Sequence, residues 1–169
     1  MQIRAYRDDD FSTLCQIFLR AVRETASQHY SPAQIDAWAQ VDDARWRQKM
    51  ATSRVLVAEK EGEVVGFITA VDRYIDLLFV TPTHSRQGVA SALLAELFAL
   101  IPSGTLTVEA SMTARPCFER MGFEVVAEQR VVARGETFVN YRMEKRRENI
   151  PGVVLHDRAT YQVDRPGEA

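Results

Sequence analysis

A glycine opens the clearest helix of the chain, directly after an apolar strand and a short loop. The strand ends at Val80, the loop runs to Gln87, and an apolar helix follows Gly88. The first turn of a helix leaves backbone N–H groups unpaired at the positive end of its dipole. Such an end binds phosphate without a lysine, and glycine lets the backbone approach the anion. The turn from Arg86 to Ser91 therefore indicates a phosphate site, or else a plain helix start.

The familiar phosphate and metal motifs are missing. No Gly-Lys-Ser/Thr stands in this turn, which excludes a Walker P-loop. The Gly-x-Gly-x-x-Gly of dinucleotide-binding folds and its acidic partner after the next strand are also missing. Cys15 and Cys117 have neither metal-ligand spacing nor a close histidine, so no metal site is predicted. A different nucleotide-like ligand remains for the turn.

The elements that must position this turn alternate between helix and strand. Apolar periodicity predicts strands over 3–6, 54–59, 64–71, 74–80, 105–110, 123–133 and 137–144. It predicts helices over 11–25, from Pro32, over 43–50, over 88–101 and over 114–121, with the acidic residues 8–10 offering an N-cap to the first. The continuous apolar run 74–80 indicates a central strand covered on both faces. The order predicts an α/β or α+β fold around a mixed sheet.

Size and composition favour one globular domain. The chain has 169 residues, of which 46% are hydrophobic and 26% charged. That is enough for one core, so we predict a domain over 1–145 and a polar tail over 146–169, with a docked strand at 153–155 as an alternative for part of the tail. The net charge of -2 gives no electrostatic footprint for nucleic acid. We interpret the basic run Lys145 to Arg147 as a solvated strand end.

No targeting or membrane segment is evident in the sequence. The N-terminus alternates into a strand, and no apolar run approaches the roughly 20 residues of a membrane span. We therefore expect a soluble cytoplasmic protein, a monomer or homodimer, with no nucleic-acid or membrane partner. Its two cysteines are expected to be reduced, small apolar residues on helices.

Two segments carry a resemblance to a known family. The stretch Leu78-Phe79-Val80-x-Pro82, followed by Arg86-Gln87-Gly88-Val89-Ala90, resembles the acyl-CoA signature of the GNAT superfamily of N-acetyltransferases. That signature is Arg/Gln-x-x-Gly-x-Gly/Ala at the helix after the fourth strand. The segment Phe118-Glu-Arg-Met-Gly122-Phe123 is similar to the family's aromatic-Glu-x-x-Gly-Phe. The segment 30–38 further resembles a poorly characterised bacterial branch.

The resemblance covers roughly 3–145 and implies a fold and a cosubstrate. The fold is a mixed, mostly antiparallel sheet of about seven strands with helices on both faces. The cosubstrate is acetyl-CoA, with no metal. The implied cofactor-binding residues are Leu78, Phe79, Val80, Arg86, Gln87, Gly88, Val89, Ala90, Ser91 and Phe118. Ser85 stands where the signature has Arg or Gln, so weaker cofactor binding is expected.

The resemblance also implies catalytic roles. The Val80 N–H would polarise the thioester carbonyl. Asp76 is the first candidate for the base, with an ion pair as its alternative, and Glu109 the second, with a solvent-facing position as its alternative. Phe118 stands where the family often has a tyrosine that protonates the CoA sulfur, so a water or Tyr141 is the candidate acid. Cys117, its neighbour, is interpreted as a core residue.

The acceptor side is less determined by the sequence. Tyr30 and Trp38 are predicted to line an acceptor pocket between the first two helices, with the core as the alternative for Trp38. No carboxylate cluster indicates an aminoglycoside or polyamine site. The predicted function is acetyl transfer from acetyl-CoA to a primary amine of a small molecule or peptide, without a covalent enzyme intermediate. The alternative is a non-catalytic CoA-binding sensor of the same fold.

Overall fold

The computed structural model of the chain describes residues 1–147. The predictions for the tail beyond Arg147, including the strand at 153–155, lie outside the described residues. Within them, every predicted strand and helix is present, and apart from the end of the first helix their ends differ from the prediction by two residues at most.

Seven strands of the described residues form one sheet. In chain order they are β1 (Gln2–Ala5), β2 (Arg54–Lys60), β3 (Glu63–Val71), β4 (Tyr74–Val80), β5 (Leu106–Ser111), β6 (Glu124–Ala133) and β7 (Glu136–Lys145). Their spatial order is β1-β2-β3-β4-β5-β7-β6. Every neighbouring pair is antiparallel except β4 and β5, which run parallel. The predicted mixed, mostly antiparallel sheet is confirmed.

Between residues 1 and 147, five α-helices cover the two faces of this sheet. They are α1 (Phe11–Arg20), α2 (Pro32–Trp38), α3 (Asp43–Thr52), α4 (Val89–Leu100) and α5 (Arg115–Arg120). The apolar side chains of α1, α2 and α3 form one core, which we call the α1–α3 face. Those of α4 and α5 form a second core on the opposite α4–α5 face. As predicted, Pro32 starts α2, and Ser31 accepts a hydrogen bond from the Gln34 N–H.

The start and the end of the first helix differ from the prediction. Residues 8–10 form a 3₁₀ turn, and the Asp10 carboxylate accepts the Arg7 N–H and binds Arg4 instead of capping α1. After Arg20 the chain widens into a π-helical turn, Ala21–Thr25, and a 3₁₀ turn, Ala26–Gln28. Periodicity predicts helix across this region but does not distinguish a π turn, which is frequent at functional sites.

The parallel pair β4–β5 comes apart soon after it begins. Register is kept only at Tyr74 with Thr107 and at Ile75 with Val108. On the other side of β4, the register with β3 shifts by one residue, which leaves Asp76 as an extra residue, a β-bulge. From there to their carboxyl ends the two strands enclose a cleft instead of a ladder.

The basic run at the end of β7 is only partly solvated. Lys145 donates to the Met121 carbonyl at 2.9 Å. The Arg147 guanidinium donates to the Phe98 carbonyl in the last turn of α4, where cations are stabilised, and to the carbonyls of Ser103 and Gly104 beyond it. The interpretation as a solvated strand end is therefore wrong for Lys145 and Arg147. It holds for Arg146, whose side chain is 78% exposed.

Candidate active site

The cleft between β4 and β5 has a volume of about 200 Å³. Its walls include eight of the ten predicted cofactor-binding residues: Leu78, Phe79, Val80, Arg86, Gly88, Val89, Ala90 and Ser91. The predicted acceptor residue Trp38 lines it as well. One cleft therefore joins the strand end, the glycine turn and the second helix.

Two backbone N–H groups of β4 point into this cleft. The Leu77 N–H donates to Thr69 Oγ1 at 3.1 Å and the Thr81 N–H donates to the Val65 carbonyl at 2.8 Å, so both face β3. Successive N–H groups of a strand point to opposite edges. Those of Leu78 and Val80 consequently face the β5 side, where the strands have parted. Their orientation is that of donors to the backbone of an added strand.

The turn before α4 has the geometry of an anion site. Gly88 takes the left-handed conformation with φ 82°, and a Cβ added there would meet no atom within 4 Å. The first helical bond runs from the Ala92 N–H to the Gly88 carbonyl. The N–H groups of Val89, Ala90 and Ser91 therefore lie in the open first turn, at the positive end of the dipole.

Two predicted cofactor residues lie outside the cleft wall. Gln87 is exposed, and its amide oxygen accepts a bond from Lys60 at 3.2 Å. Phe118 is fully buried in the core of the α4–α5 face, with its ring 5.1 Å from that of Phe123. The aromatic position of the second motif is thus a packing position in this chain.

The neighbours of Phe118 line the cleft in its place. Cys117, which the sequence led us to interpret as a core residue, is half-buried and faces the cleft together with Arg120. Burial raises the pKa of the Cys117 thiol above its usual value, and Arg120 opposes this shift only in part. The side chain is therefore a neutral thiol near pH 7. Whether Cys117 faces the cleft depends on the rotation of the short helix α5 about its axis, and the sequence does not determine that rotation.

The two candidate bases have different surroundings. Asp76 is buried, and its carboxylate pairs with Lys49 Nζ of α3 at 2.7 Å, next to a separate pocket that includes Arg45. This is the ion pair that the sequence left open as its alternative. Glu109 is half-buried rather than solvent-facing, and burial raises the pKa of its carboxyl, although the Tyr74 hydroxyl at 3.5 Å opposes the shift.

Glu109 lies on the cleft's own strand. Val108 and Ala110 of β5 face the α4–α5 core, so Glu109 and Ser111 face the α1–α3 side. Ser111 lines the cleft. Glu109 and Ser111 are therefore neighbours on one face of β5, with Cα atoms about 7 Å apart.

The two predicted tyrosines are placed differently from Trp38. Tyr141 lies outside the cleft wall, with its ring centroid 4.4 Å from Cζ of the Arg115 guanidinium. Tyr30 is buried behind Trp38, with the two rings 5.3 Å apart.

The hydroxyl of Tyr30 joins the end of β5 to β7. It accepts the Met112 N–H at 3.0 Å and donates to the Val139 carbonyl at 3.1 Å. Burial raises the pKa of this phenol to about 12, so the hydroxyl keeps its proton at neutral pH. Tyr30 thus supports the pocket wall from behind.

Sequence reasoning missed several residues of the wall. Ala21, Thr25 and Ala26 reach the cleft from the π turn and its continuation, and Ser111 and Thr113 reach it from the end of β5. The segment after β5 contacts the segment after α1, because Thr113 Oγ1 lies 2.9 Å from His29 Nδ1. No local signal marks them, since their position depends on the parting of two strands that are distant in sequence.

Comparison with known proteins identifies the family. The profile of the acetyltransferase (GNAT) domain matches residues 26–145. This chain belongs to the GNAT acetyltransferase family. A curated GNAT relative, the uncharacterized N-acetyltransferase YafP of Escherichia coli K12, is 54% identical over 143 residues, which is 85% of this chain and 94% of that protein.

Solved GNAT structures share the fold. A GCN5-related N-acetyltransferase (aminotransferase, class II) from Rhodopseudomonas palustris superposes with a TM-score of 0.80 at 28% identity, over 86% of this chain and 94% of that one. The PaiA N-acetyltransferase of Thermoplasma acidophilum, solved with coenzyme A, gives 0.68 at 16% identity, over 86% of this chain and 98% of that one. The latter similarity establishes the fold alone.

Two further findings concern the described part of this GNAT chain. Among residues 1–147, no three His, Cys, Asp or Glu side chains gather in a group that could hold a metal ion. None of the helices in that range is long and apolar enough to cross a membrane.

Proposed function

We propose that this GNAT protein transfers the acetyl group of acetyl-CoA to a primary amine of a small molecule or peptide by direct attack. One observation carries the proposal. The parting of β4 and β5 leaves the Leu78 and Val80 N–H groups facing a cleft that ends at the open first turn of α4.

Acetyl-CoA fits this arrangement along its length. The pantetheine arm would lie along β4 and pair with its free edge, as the family resemblance implies. The pyrophosphate would bind the N–H groups of the first turn of α4, with Arg86 adding charge at the rim. Because Ser85 replaces the Arg or Gln of the signature, most hydrogen bonds to the pyrophosphate would come from backbone N–H groups.

The reaction needs a stabilised oxyanion and a base. The neutral amine attacks the thioester carbon, and the Val80 N–H donates to the carbonyl oxygen as charge develops there. The C–S bond breaks, and the electron pair leaves with the CoA thiolate. The nitrogen gives up one proton to a base. No bond to the enzyme forms.

Glu109 is better placed than Asp76 to be that base. The Asp76 carboxylate is paired with Lys49, whereas Glu109 shares its strand face with the cleft residue Ser111. A water held by Ser111 would relay the proton to Glu109, whose raised pKa brings it closer to the working pH.

The cleft contains a candidate donor of the proton that the departing CoA thiolate takes up. The neutral thiol of Cys117 lines the wall, whereas Tyr141 lies outside it. We therefore assign protonation of the CoA thiolate to Cys117 or to water. Both cysteines of the chain are free, as the reducing cytoplasm that we expect for this protein requires.

A non-catalytic CoA sensor is the second candidate function. The observation that favours it is Phe118, which is fully buried where the family often has a proton-donating tyrosine. A sensor would bind acetyl-CoA and release no thiol.

Thiol release distinguishes the two functions. Acetyl-CoA is incubated with the protein and a panel of primary amines, and free CoA is measured together with the mass of the acetylated product. We expect amine-dependent CoA release and a product heavier by one acetyl group. Binding of acetyl-CoA without CoA release across the panel would establish the sensor instead.

A further inference from the structure

A strip of polar side chains crosses the last three strands on the α1–α3 face. Asn140 of β7 is the register partner of Ser111 in β5 and of Gln129 in β6. Register partners project on the same face of a sheet with Cβ atoms about 5 Å apart. Phe138, two residues before Asn140 on the same face, belongs to the α1–α3 core.

Part of the hydrogen-bonding capacity of this strip is unused within the described chain, although the Ser111 hydroxyl accepts the Ala114 N–H at 3.0 Å. Asn140 is 0% exposed, and among residues 1–147 neither its Oδ1 nor its Nδ2 has a partner. The same holds for Gln129 Oε1 and for Trp38 Nε1. Burial of such atoms without partners is unfavourable, and an aliphatic residue in their place would avoid that cost. Asn140 is not part of the cleft wall and lies beside its register partner Ser111, so a ligand group that enters past Ser111 would supply the missing partners.

The strip lies against the cleft on its acceptor side. The Trp38 ring is 5.3 Å from that of Tyr30 and 6.4 Å from that of Phe79 in β4. Tyr30 in turn packs on Phe138 of β7, with ring centroids 5.9 Å apart. The aromatic pair therefore bridges β4 to β7 across the end of β5, where Ser111 emerges. Trp38 and Ser111 themselves line the cleft.

We propose that Trp38 Nε1 and the Asn140 carboxamide bind a carbonyl-containing group of the acceptor beside its attacking amine. This inference rests on the proposed acetyl transfer and names its acceptor class: α-amino amides and the amino-terminal residue of peptides. The indole N–H and the Asn140 Nδ2 donate to the carbonyl oxygen, and Asn140 Oδ1 accepts an amide N–H. A site with unpaired buried donors discriminates strongly against an analogue that lacks the matching group.

The wall of the cleft supports the same acceptor class. Ala21, Ala26 and Phe79 supply apolar surface for an acceptor side chain. Among residues 1–147, no Asp or Glu lines the cleft, so a polyamine finds no carboxylate there. Asn140 and Trp38 are thus residues that determine acceptor specificity.

The test compares two amines that differ by one group. L-leucinamide and 3-methylbutylamine share the same carbon skeleton, but only the first has the carboxamide. We expect Asn140→Leu to lower the ratio of kcat/KM for L-leucinamide to kcat/KM for 3-methylbutylamine by at least about tenfold. The comparison is made on the ratio in each protein, because the two amines differ in basicity and that difference cancels between wild type and variant. An unchanged ratio overturns the inference.

Stability and a matched control exclude a merely structural effect. Asn140→Leu removes two unpartnered buried atoms, so its Tm should equal or exceed that of the wild type. Ser103 is also buried with an unpartnered hydroxyl in the described chain, but it lies beyond α4 and away from the cleft. We expect Ser103→Ala to leave the ratio unchanged. A loss of leucinamide preference in both variants would contradict the assignment to Asn140.

A binding measurement separates the acceptor class from the reaction. The chain has two tryptophans, so Trp46→Phe leaves Trp38 as the single indole. With CoA bound, its fluorescence should respond to L-leucinamide at a concentration at least about tenfold lower than to 3-methylbutylamine. If no amine is acetylated, the proposed function fails while this titration still decides the inference. Equal responses, or none, refute it.

Discussion

Gly88 has two properties that a side chain would remove. Its φ of 82° is left-handed, and the space beside its Cα is open. A Cβ at this φ costs about 1–2 kcal/mol, and in the proposed binding mode it would also take up space beside the pyrophosphate.

The first prediction compares left-handed glycines. We expect Gly88→Ala to lose about 1–2 kcal/mol of unfolding free energy and to weaken acetyl-CoA binding at least about tenfold. Gly135→Ala is the matched control, since Gly135 has φ 80° and no neighbour within 4 Å but lies in the β6–β7 hairpin. It should lose similar stability and keep its affinity, as measured by denaturant unfolding and calorimetric titration. Equal affinity losses in both would contradict an anion site at Gly88.

The second prediction concerns the base. Burial raises the pKa of Glu109, so its carboxylate, the basic form, is lost as the pH falls through that raised value. The kcat/KM profile should therefore decline on its acid side above the ordinary pKa of glutamate. Glu109→Gln should remove this limb and lower kcat by about 10²–10⁴-fold.

Asp76→Asn is the competing variant. It removes the negative charge of Asp76 from the buried pair with Lys49, so it should destabilise the protein by about 3–5 kcal/mol. It should keep the acid limb of the pH profile. Loss of the limb in Asp76→Asn and its retention in Glu109→Gln would return the base role to Asp76.

At the scale of elements, the position of α4 against the sheet sets the phosphate turn. A Cβ on Gly66 of β3 would lie 2.9 Å from Val89 Cγ1 and 3.1 Å from the Phe79 carbonyl oxygen. The sheet therefore approaches the first residue of α4 closely, and this approach holds the turn at the cleft.

The third prediction tests that contact. Gly66→Ala should cost about 1–3 kcal/mol through overpacking and weaken acetyl-CoA binding by displacing the start of α4. In the double variant Gly66→Ala/Val89→Ala, the loss should be smaller than the sum of the two single losses, because Val89 Cγ1 is gone. Additive losses in chemical unfolding would show that the two residues are not coupled.

The elements themselves were predictable, but the cleft between them was not. Apolar periodicity and turn residues predicted β4 with its exact bounds and α4 to within one residue. The parting of β4 from β5 and the exposure of Cys117 depend on tertiary geometry that no local pattern encodes. The glycine turn was found because one residue type reports a backbone conformation. Asn140 was missed because a single polar residue in a strand gives no signal of its burial.

At the scale of the whole molecule, an ionic cluster joins the first strand to its surroundings. Arg4 of β1 binds the Asp10 carboxylate through two bonds of 2.9 Å and Glu59 of β2 at 2.6 Å. The bonds from Arg4 hold the pKa of Asp10 below its ordinary value. This contribution to stability is present above the unfolded pKa of Asp, about 3.9, and is lost as the pH falls through the folded value.

The fourth prediction follows from the pH dependence of the Asp10 contribution to stability. Asp10→Asn should be less stable than the wild type at pH 7 by about 1–3 kcal/mol, and the difference should shrink at pH values below about 4. Denaturant unfolding as a function of pH measures it. A difference that stays constant into acid would contradict the pairing with Arg4.

The central claim is that acetyl-CoA binds in the cleft between β4 and β5 and at the first turn of α4. Backbone amide NMR during titration with acetyl-CoA tests this claim most directly. The account predicts saturable shifts that are largest at the N–H groups of Leu78, Val80 and residues 88–91, since we propose that these groups bind the pantetheine arm and the pyrophosphate. No shifts at saturating acetyl-CoA, or shifts concentrated at the Lys49–Asp76 pocket, would contradict it.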